Sequence, residues 1–200
     1  MRVVAVDMSG FGKAGELNYP YSVGDYAQEI KGVLDQIGEQ KVDIIAHSFG
    51  ARVAVKLANL DERINRIIFT GAAGLKPRRG FKYLLRKASF FILKNFVPKQ
   101  KLTFLYAKDY QGLTPIMKES FKKIIAENLD EEYKKLKNKT LLIFGANDKE
   151  TPPYMARQMK RLVKDSQLVF IAGAGHFCFI SNSDEFNSLA FRFLIGGSIN

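Results

Sequence analysis

The sequence predicts an α/β fold in which helices cover both faces of a mostly parallel sheet. Short runs of apolar and β-branched residues alternate along the chain with amphipathic helical segments. Strands that are apolar on both sides are typical of parallel sheets, because both faces of such sheets are buried. Parallel neighbours also need a crossover of about a dozen residues or more, and the helical segments between the runs provide it.

Five buried strands are predicted from these apolar runs, and each run is followed within two residues by a glycine or a polar residue. They lie at 3–6, 42–46, 64–70, 140–144 and 167–171. The first run leads into a tight glycine loop at 9–12, as buried strands of parallel sheets commonly do. Ligands gather at the carboxyl ends of strands in such sheets, so the residues after each run are the first candidates for chemistry.

Four helices are predicted between and after these strands. The first begins at the capping-box signal of Ser22 with Asp25 and ends at Gly38. The second follows a sharp turn after the second strand and covers 51–60. The third begins at the N-cap Thr151, which proline follows at the first helical position, and the last covers 186–194.

The segment 75–138 departs from this alternation, and we predict that it is an inserted helical cap. It separates a first part of the core at 1–74 from a second part at 139–200. The net charge of the chain is +11, and ten of its 31 basic residues lie between Gly74 and Lys108 with no acidic residue among them. The rest of the chain has 21 basic and 20 acidic residues, so the charge excess belongs to this segment.

Composition excludes several classes of protein. With 200 residues, 46% of them apolar and 26% charged, the chain suits one globular domain. Its apolar runs are far shorter than the roughly 18 residues that span a bilayer, and its start lacks a signal-peptide pattern. One cysteine and two histidines cannot form an internal disulfide or a Cys-rich zinc site. We therefore expect a cytoplasmic protein that uses no metal.

Three residues with complementary chemistry follow predicted strands, in the order Ser48, Asp148 and His176. A serine hydroxyl needs an imidazole to take its proton, and a carboxylate must orient that imidazole and stabilise its cation. Ser48 has small residues two positions away on either side, as a strained turn between a strand and a helix requires. The backbone N–H of Phe49, near the start of the next helix, is the predicted oxyanion donor.

Each of these residues also has a simpler interpretation. Ser48 can be a small residue tolerated in a turn, Asp148 can cap the turn before Thr151, and His176 can be a loop histidine bonded to backbone. Four other residues are considered for this site: Asp7 and Asp43 as alternative carboxylates, His47 as a packing residue, and Cys178 as a nucleophilic thiol. We expect Asp43 to lie at the wrong end of the sheet and Cys178 to be buried and inert.

Four segments together resemble the motifs of serine α/β-hydrolases, which include lipases, esterases and carbon–carbon bond hydrolases. Residues 46–50 resemble the nucleophile elbow, 145–148 the acid turn, 173–177 the histidine loop, and 7–12 the aspartate and glycine loop before the elbow. Ala46 stands where glycine is commoner. The resemblance implies an α/β-hydrolase fold with a cap, acyl transfer by Ser48 with His176 and Asp148, and no metal or organic cofactor.

The resemblance also implies that N-terminal strands of the family are absent from these 200 residues. In the family, several strands precede the one that ends at Asp7, and one of them carries a loop that supplies a second oxyanion N–H. The family's topology places an absent strand between 3–6 and 42–46. Because the elbow, acid turn and histidine loop are all intact, we expect that this sequence begins late, at an internal methionine.

The function predicted from the sequence is therefore a serine hydrolase of small ester or related acyl substrates. Two alternatives are a non-catalytic hydrolase-like chain without the second oxyanion donor, and a protein whose basic stretch 78–96 contacts a membrane surface. We prefer a lid with a charged outer face for this stretch. Nucleic-acid binding is disfavoured because no recognition motif accompanies the charge.

Overall fold

Four parallel strands form the sheet in the computed structural model, which describes residues 2–76 and 112–197. Their order in the sheet is their order in the chain: β1 (Val42–His47), β2 (Ile64–Thr70), β3 (Lys139–Gly145) and β4 (Ser166–Ile171). Ala46 of β1 is in register with Phe69 of β2, which in turn is in register with Leu142 of β3. Because the strands are parallel, all four carboxyl ends lie at one edge of the sheet.

Seven helices connect and flank these strands in the described residues. They are α1 (Val23–Ile37), α2 (Phe49–Leu60), α3 (Pro115–Ala126), α4 (Asp130–Lys135), α5 (Pro153–Leu162), α6 (Cys178–Ser181) and α7 (Ser183–Leu194). The predicted α/β fold is confirmed, and four of the five predicted strands are present. None of the helices in the two described ranges is both long and apolar enough to cross a bilayer.

The core lies on both faces of the sheet because successive residues of a strand point to opposite sides. Phe69 and Phe144 pack on one side, in a cluster with buried residues of α1, α2, α4 and α5. Ile68 and Ile143 pack on the other side, in a cluster with α7. All four side chains are fully buried, so both sides of the central strands stabilise the fold through the hydrophobic effect.

The prediction of a strand at 3–6 is wrong. These residues pair with no strand in the part of the chain that the structure describes, and Val3 is 83% exposed. A cavity of about 680 Å³ is lined by this run and by β1, and Ile45 of β1 is 52% exposed. A strand needs a neighbour that accepts and donates its backbone hydrogen bonds, and across this cavity β1 does not supply them.

The described part of the predicted insertion packs on the core through its two helices. Arg52 of α2 donates hydrogen bonds from Nη1 to the carbonyl oxygens of Ile124, at 2.8 Å, and Glu127, at 3.0 Å. These carbonyls lie at the C-terminal end of α3, where a helix lacks its own donors. The Tyr133 hydroxyl of α4 donates to Ala73 O at 2.7 Å. Residues 77–111, which include the whole basic stretch 78–96, lie outside the described residues, and the boundaries of the cap stay a prediction.

Helix α1 begins with the capping box that the sequence predicts. Ser22 Oγ accepts a hydrogen bond from the Asp25 N–H at 3.2 Å, and Asp25 Oδ2 accepts one from the Ser22 N–H at 2.6 Å. The bond from the Ser22 backbone holds the pKa of Asp25 below its ordinary value, against an opposing effect of burial. At the other end, Gly38 adopts the left-handed conformation that closes the helix, with φ at 73°.

Replacing Ser22 by alanine is expected to destabilise the protein by about 1 kcal/mol, because one of the first amides of α1 loses its acceptor. The free energy of unfolding from urea titration measures this. Ser22→Thr is the matched control, since threonine keeps a capping oxygen. Equal stability of the alanine and threonine variants would contradict the assigned role of this cap.

Candidate active site

The three predicted site residues lie at the carboxyl edge of the sheet. Ser48 directly follows β1, Asp148 lies in the turn after β3, and His176 lies in the loop after β4. The acid turn and the histidine loop are joined by a backbone bond from Asn147 N to Ala174 O at 2.8 Å. Strands β3 and β4 are hydrogen-bonded neighbours, so their loops emerge side by side.

Asp148 and His176 form a direct hydrogen bond. The distance from His176 Nδ1 to Asp148 Oδ2 is 2.8 Å, and both residues are buried. Because the carboxylate accepts at Nδ1, that nitrogen carries a proton, and Nε2 takes no part in this bond. The structure thus places these two residues in the relation that an oriented imidazole base requires.

Further donors hold the Asp148 carboxylate in place. The backbone N–H groups of Glu150 and Thr151 donate to Oδ1 at 2.8 and 2.9 Å, and the Thr151 hydroxyl donates to Oδ2 at 2.7 Å. Burial alone would raise the pKa of Asp148, but the bonds from His176 and Thr151 outweigh it and lower the pKa. Asp148 also bonds the turn before α5, so the simpler interpretation of this residue as a turn cap describes part of what it does.

Ser48 has a strained backbone. Its φ of 49° and ψ of −110° make it the one non-glycine residue with positive φ in the described ranges. Backbone bonds hold this geometry: Ser48 N donates to Thr70 O at 3.1 Å, and Ser48 O accepts from Ala51 N and Ala73 N at 3.2 Å. A non-glycine residue in such a conformation costs about 1 to 3 kcal/mol, and such strain clusters at functional sites.

His47, the residue before Ser48, contacts the histidine loop. The His47 ring lies 4.6 Å from the His176 ring, centroid to centroid, and His47 Nε2 donates to His176 O at 3.2 Å. Burial lowers the pKa of His47, against an opposing effect of this bond, so His47 is neutral at pH 7. The structure places His47 as a packing and hydrogen-bonding residue beside the candidate base.

The Ser48 hydroxyl makes no hydrogen bond with any described residue. His176 Nε2 instead lies 3.3 Å from Oε2 of Glu150, whose side chain is 65% exposed. Bonds between a nucleophile and its base are often long or absent in ligand-free sites and tighten only when substrate binds. In this structure, then, His176 is bonded to Asp148 but not to Ser48.

An aromatic wall, made of Phe11, Tyr26 and Phe49, borders the serine. The Phe49 ring lies 5.7 Å from that of Phe11 and 5.2 Å from that of Tyr26. The Tyr26 hydroxyl donates to Ser9 O at 3.2 Å, and burial raises the pKa of Tyr26 to about 12. Phe49 is also the first residue of α2, so its N–H has no acceptor within the helix. An aromatic cluster and an amide that has no acceptor within its helix therefore adjoin the same turn.

The other candidates lie elsewhere or are unreactive. Asp7 Oδ2 accepts from Lys13 N at 2.9 Å within its own loop, and Asp43 accepts from Asn65 Nδ2 at 2.6 Å at the amino end of the strands. Cys178 is buried with Sγ 3.3 Å from the Thr70 hydroxyl, and burial raises the pKa of its thiol. A raised thiol pKa disfavours the thiolate, which is the nucleophilic form.

Sequence reasoning missed two features of this site. The first is Glu150, whose contact with His176 joins residues in two different loops. The second is Gly145: a Cβ there would collide with the backbone carbonyls of Ala174 and Gly175. Within 2–76 and 112–197, no group of three or more His, Cys, Asp or Glu side chains is arranged to hold a metal ion.

Comparison with known proteins finds relatives that are described as hydrolases. A family model described as the alpha/beta hydrolase family matches residues 1–189. The 2-hydroxymuconate semialdehyde hydrolase of Pseudomonas putida is 26% identical, and the match covers 96% of this chain and 76% of that protein. A putative carbamate hydrolase of Klebsiella pneumoniae, RutD, is 25% identical, with coverage of 94% and 79%.

Solved structures resemble this fold closely. The meta-cleavage product hydrolase CumD of Pseudomonas fluorescens matches with a TM-score of 0.68 and 25% identity, over 94% of this chain and 77% of that one. An esterase of Exiguobacterium antarcticum matches with a TM-score of 0.73 over 94% and 80% of the two chains. Its identity is 20%, so this second likeness concerns the fold alone.

The lowered pKa of Asp148 predicts a loss of stability in acid. An aspartate whose pKa is lower in the folded than in the unfolded chain stabilises the fold fully above the unfolded value of about 3.9. This contribution disappears as the pH falls through the folded pKa. Unfolding free energies measured between about pH 3 and 7 should therefore fall more steeply in acid for the wild type than for Asp148→Asn. Parallel pH curves would contradict this.

Replacing Gly145 by alanine is expected to destabilise the protein by about 1 to 3 kcal/mol, because the added Cβ pushes the acid turn away from the histidine loop. Gly15→Ala is the control, since a Cβ at Gly15 meets nothing within 4 Å. Urea titration of both variants measures the difference. If the two variants are equally stable, the close approach at Gly145 is not a constraint.

Proposed function

The chain belongs to the α/β-hydrolase family, and on this premise we propose that it is a serine hydrolase that cleaves ester-type or related acyl bonds through an acyl-enzyme on Ser48. The observation that carries the proposal is the buried hydrogen bond between Asp148 and His176 at the sheet edge where the strained Ser48 turn lies. This combination of a strained serine and an oriented imidazole is what nucleophilic acyl transfer needs.

The proposed reaction proceeds in two steps. Ser48 Oγ attacks the substrate carbonyl while His176 Nε2 takes its proton, and the same nitrogen then gives the proton to the leaving group. Water repeats the sequence on the acyl-enzyme and releases the acid. Asp148 stabilises the imidazolium that forms in each step, through the bond it already makes at Nδ1.

The oxyanion of each tetrahedral intermediate is proposed to bind the Phe49 N–H. Two features support this choice: the amide has no acceptor within α2, and it lies at the positive end of the helix dipole. One such donor typically contributes a factor of about 10² to 10³ in rate.

The substrate class follows from the relatives and from the surroundings of Ser48. The relatives are hydrolases of 2-hydroxymuconate semialdehyde and, as a putative activity, of carbamate. Attack of a serine on a carbonyl carbon suits all of these bonds. Of the aromatic wall, Tyr26 is buried, and the partly exposed rings of Phe11 and Phe49 favour an apolar acyl group. We therefore propose small esters with an apolar acyl chain.

Ser48→Ala is expected to lower the turnover of p-nitrophenyl butyrate by a factor of about 10³ or more, because the nucleophile is removed. Labelling with a fluorophosphonate, followed by peptide mass spectrometry, should place the adduct on Ser48 in the wild type. Ser181→Ala is the control, since the Ser181 side chain is exposed and, among the described residues, its hydroxyl bonds its neighbour Asn182 alone. Equal turnover in wild type and Ser48→Ala would remove the enzyme proposal and favour the non-catalytic alternative.

Asp148→Asn is expected to lower kcat by about 10³ to 10⁴, because an amide in place of the carboxylate no longer enforces the tautomer with Nδ1–H. Circular dichroism and urea titration identify any loss of folding. A folded Asp148→Asn variant with wild-type kcat would contradict the role proposed for this residue.

A further inference from the structure

Glu150 is a residue that the proposed mechanism does not use, although its carboxylate contacts the candidate base. We propose that Glu150 selects substrates by charge: it favours leaving groups that are cationic and disfavours anionic ones. This inference rests on the proposed function, because Nε2 of His176 is the meeting point of nucleophile and leaving group only if His176 is the base.

The two ring nitrogens of His176 each face a carboxylate. Nδ1 lies 2.8 Å from Asp148 Oδ2, and Nε2 lies 3.3 Å from Glu150 Oε2. An imidazole donates from both nitrogens only when it is doubly protonated. With the Nδ1 proton bound to Asp148, a neutral ring turns a lone pair toward Glu150, so this contact must be released before Nε2 can accept the Ser48 proton.

The two carboxylates differ in how firmly they are held. The side chain of Asp148 is fully buried and accepts from Glu150 N, Thr151 and His176, whereas that of Glu150 is 65% exposed. Among the described residues, His176 is the one partner of the Glu150 carboxylate. The side chain can therefore move away from the ring into water without giving up another bond.

The charge of Glu150 nevertheless stays near the reacting atoms. Its backbone N–H is bonded to Asp148 Oδ1 at 2.8 Å, which ties its Cα to the acid turn. No lysine or arginine of the described ranges forms an ion pair with Glu150. The nearby His47 is neutral at pH 7 because burial lowers its pKa. A substrate in the site therefore meets a negative charge that no described cation neutralises.

The sign of this charge sets the preference. A leaving group with a positive charge can replace His176 as the partner of Glu150, and this exchange frees Nε2 at the moment the substrate binds. An anionic leaving group repels the carboxylate and offers it no partner. The exposure of Glu150 screens both effects, so we expect roughly tenfold rather than larger discrimination.

Three thiobutyrate esters that differ in the charge of the leaving thiol test this inference. Butyrylthiocholine is cationic, S-(3,3-dimethylbutyl) thiobutyrate is its neutral isostere, and the thiobutyrate of 3-mercaptopropionate is anionic. Release of the thiol, followed with a disulfide reagent, gives kcat/KM for each ester. Ratios of kcat/KM between esters cancel any effect of a substitution that is common to all three.

Glu150→Gln keeps the size of the side chain and removes its charge. We expect it to lower the cationic-to-neutral ratio by roughly tenfold and to raise the anionic-to-neutral ratio by a similar factor. In the wild type both ratios should approach those of the variant when salt rises from about 0.01 M to about 1 M, because the screening length falls from roughly 30 Å to roughly 3 Å. Glu62→Gln is the matched control, since Glu62 lies at the amino end of β2, the opposite edge of the sheet.

Three outcomes overturn the inference. If Glu150→Gln leaves both ratios within twofold of the wild type, whatever its effect on the three rates, Glu150 does not affect substrate choice. If Glu62→Gln changes both ratios as much as Glu150→Gln does, the selection does not come from the carboxylate beside His176. If no ester shows turnover that depends on Ser48, both the inference and the proposed function fail, which separates that failure from the first two.

Discussion

The hydrogen bond between Asp148 and His176 is the interaction on which the arrangement at the sheet edge depends. It joins the loops after β3 and β4 inside the protein, where the aspartate is satisfied by further donors from Glu150 and Thr151. A buried carboxylate is stable only when its oxygens are paired, so the turn from 148 to 151 and the ring of His176 require one another. Gly145 makes the approach possible, because only a residue without a side chain leaves room for the facing backbone.

Much of the fold could be predicted from the sequence, because its central strands and helices are locally consistent. Strands β2 and β3 are apolar on both faces and are buried on both faces, and the capping box at Ser22 forms as predicted. The run at 3–6 has the same composition but forms no strand, since pairing depends on a neighbour at hydrogen-bonding distance and composition carries no information about one. For the run at 3–6, the lack of a pairing neighbour among the described residues outweighed its local preference for a strand.

The candidate site divides in a similar way. The order of Ser48, Asp148 and His176, each just beyond a strand, was readable because parallel strands bring their carboxyl ends to one edge. The small residues Ala46 and Gly50 predicted a strained turn at Ser48, and its φ is positive. The contact between Glu150 and His176 was not readable, because it depends on how two loops fold against each other and on the direction of an exposed side chain. Spacing along the chain predicts which loops meet, but not which atoms touch.

The conformation of Ser48 has a consequence for the evolution and engineering of this protein. A glycine at this position would relieve the torsional strain and stabilise the fold, but it would remove the proposed nucleophile. Folded domains are stable by only about 5 to 15 kcal/mol, so strain of about 1 to 3 kcal/mol is a sizeable share of that margin. Screens that select for thermal stability alone are therefore expected to replace Ser48 first. A search for more stable variants should also select for the proposed hydrolase activity.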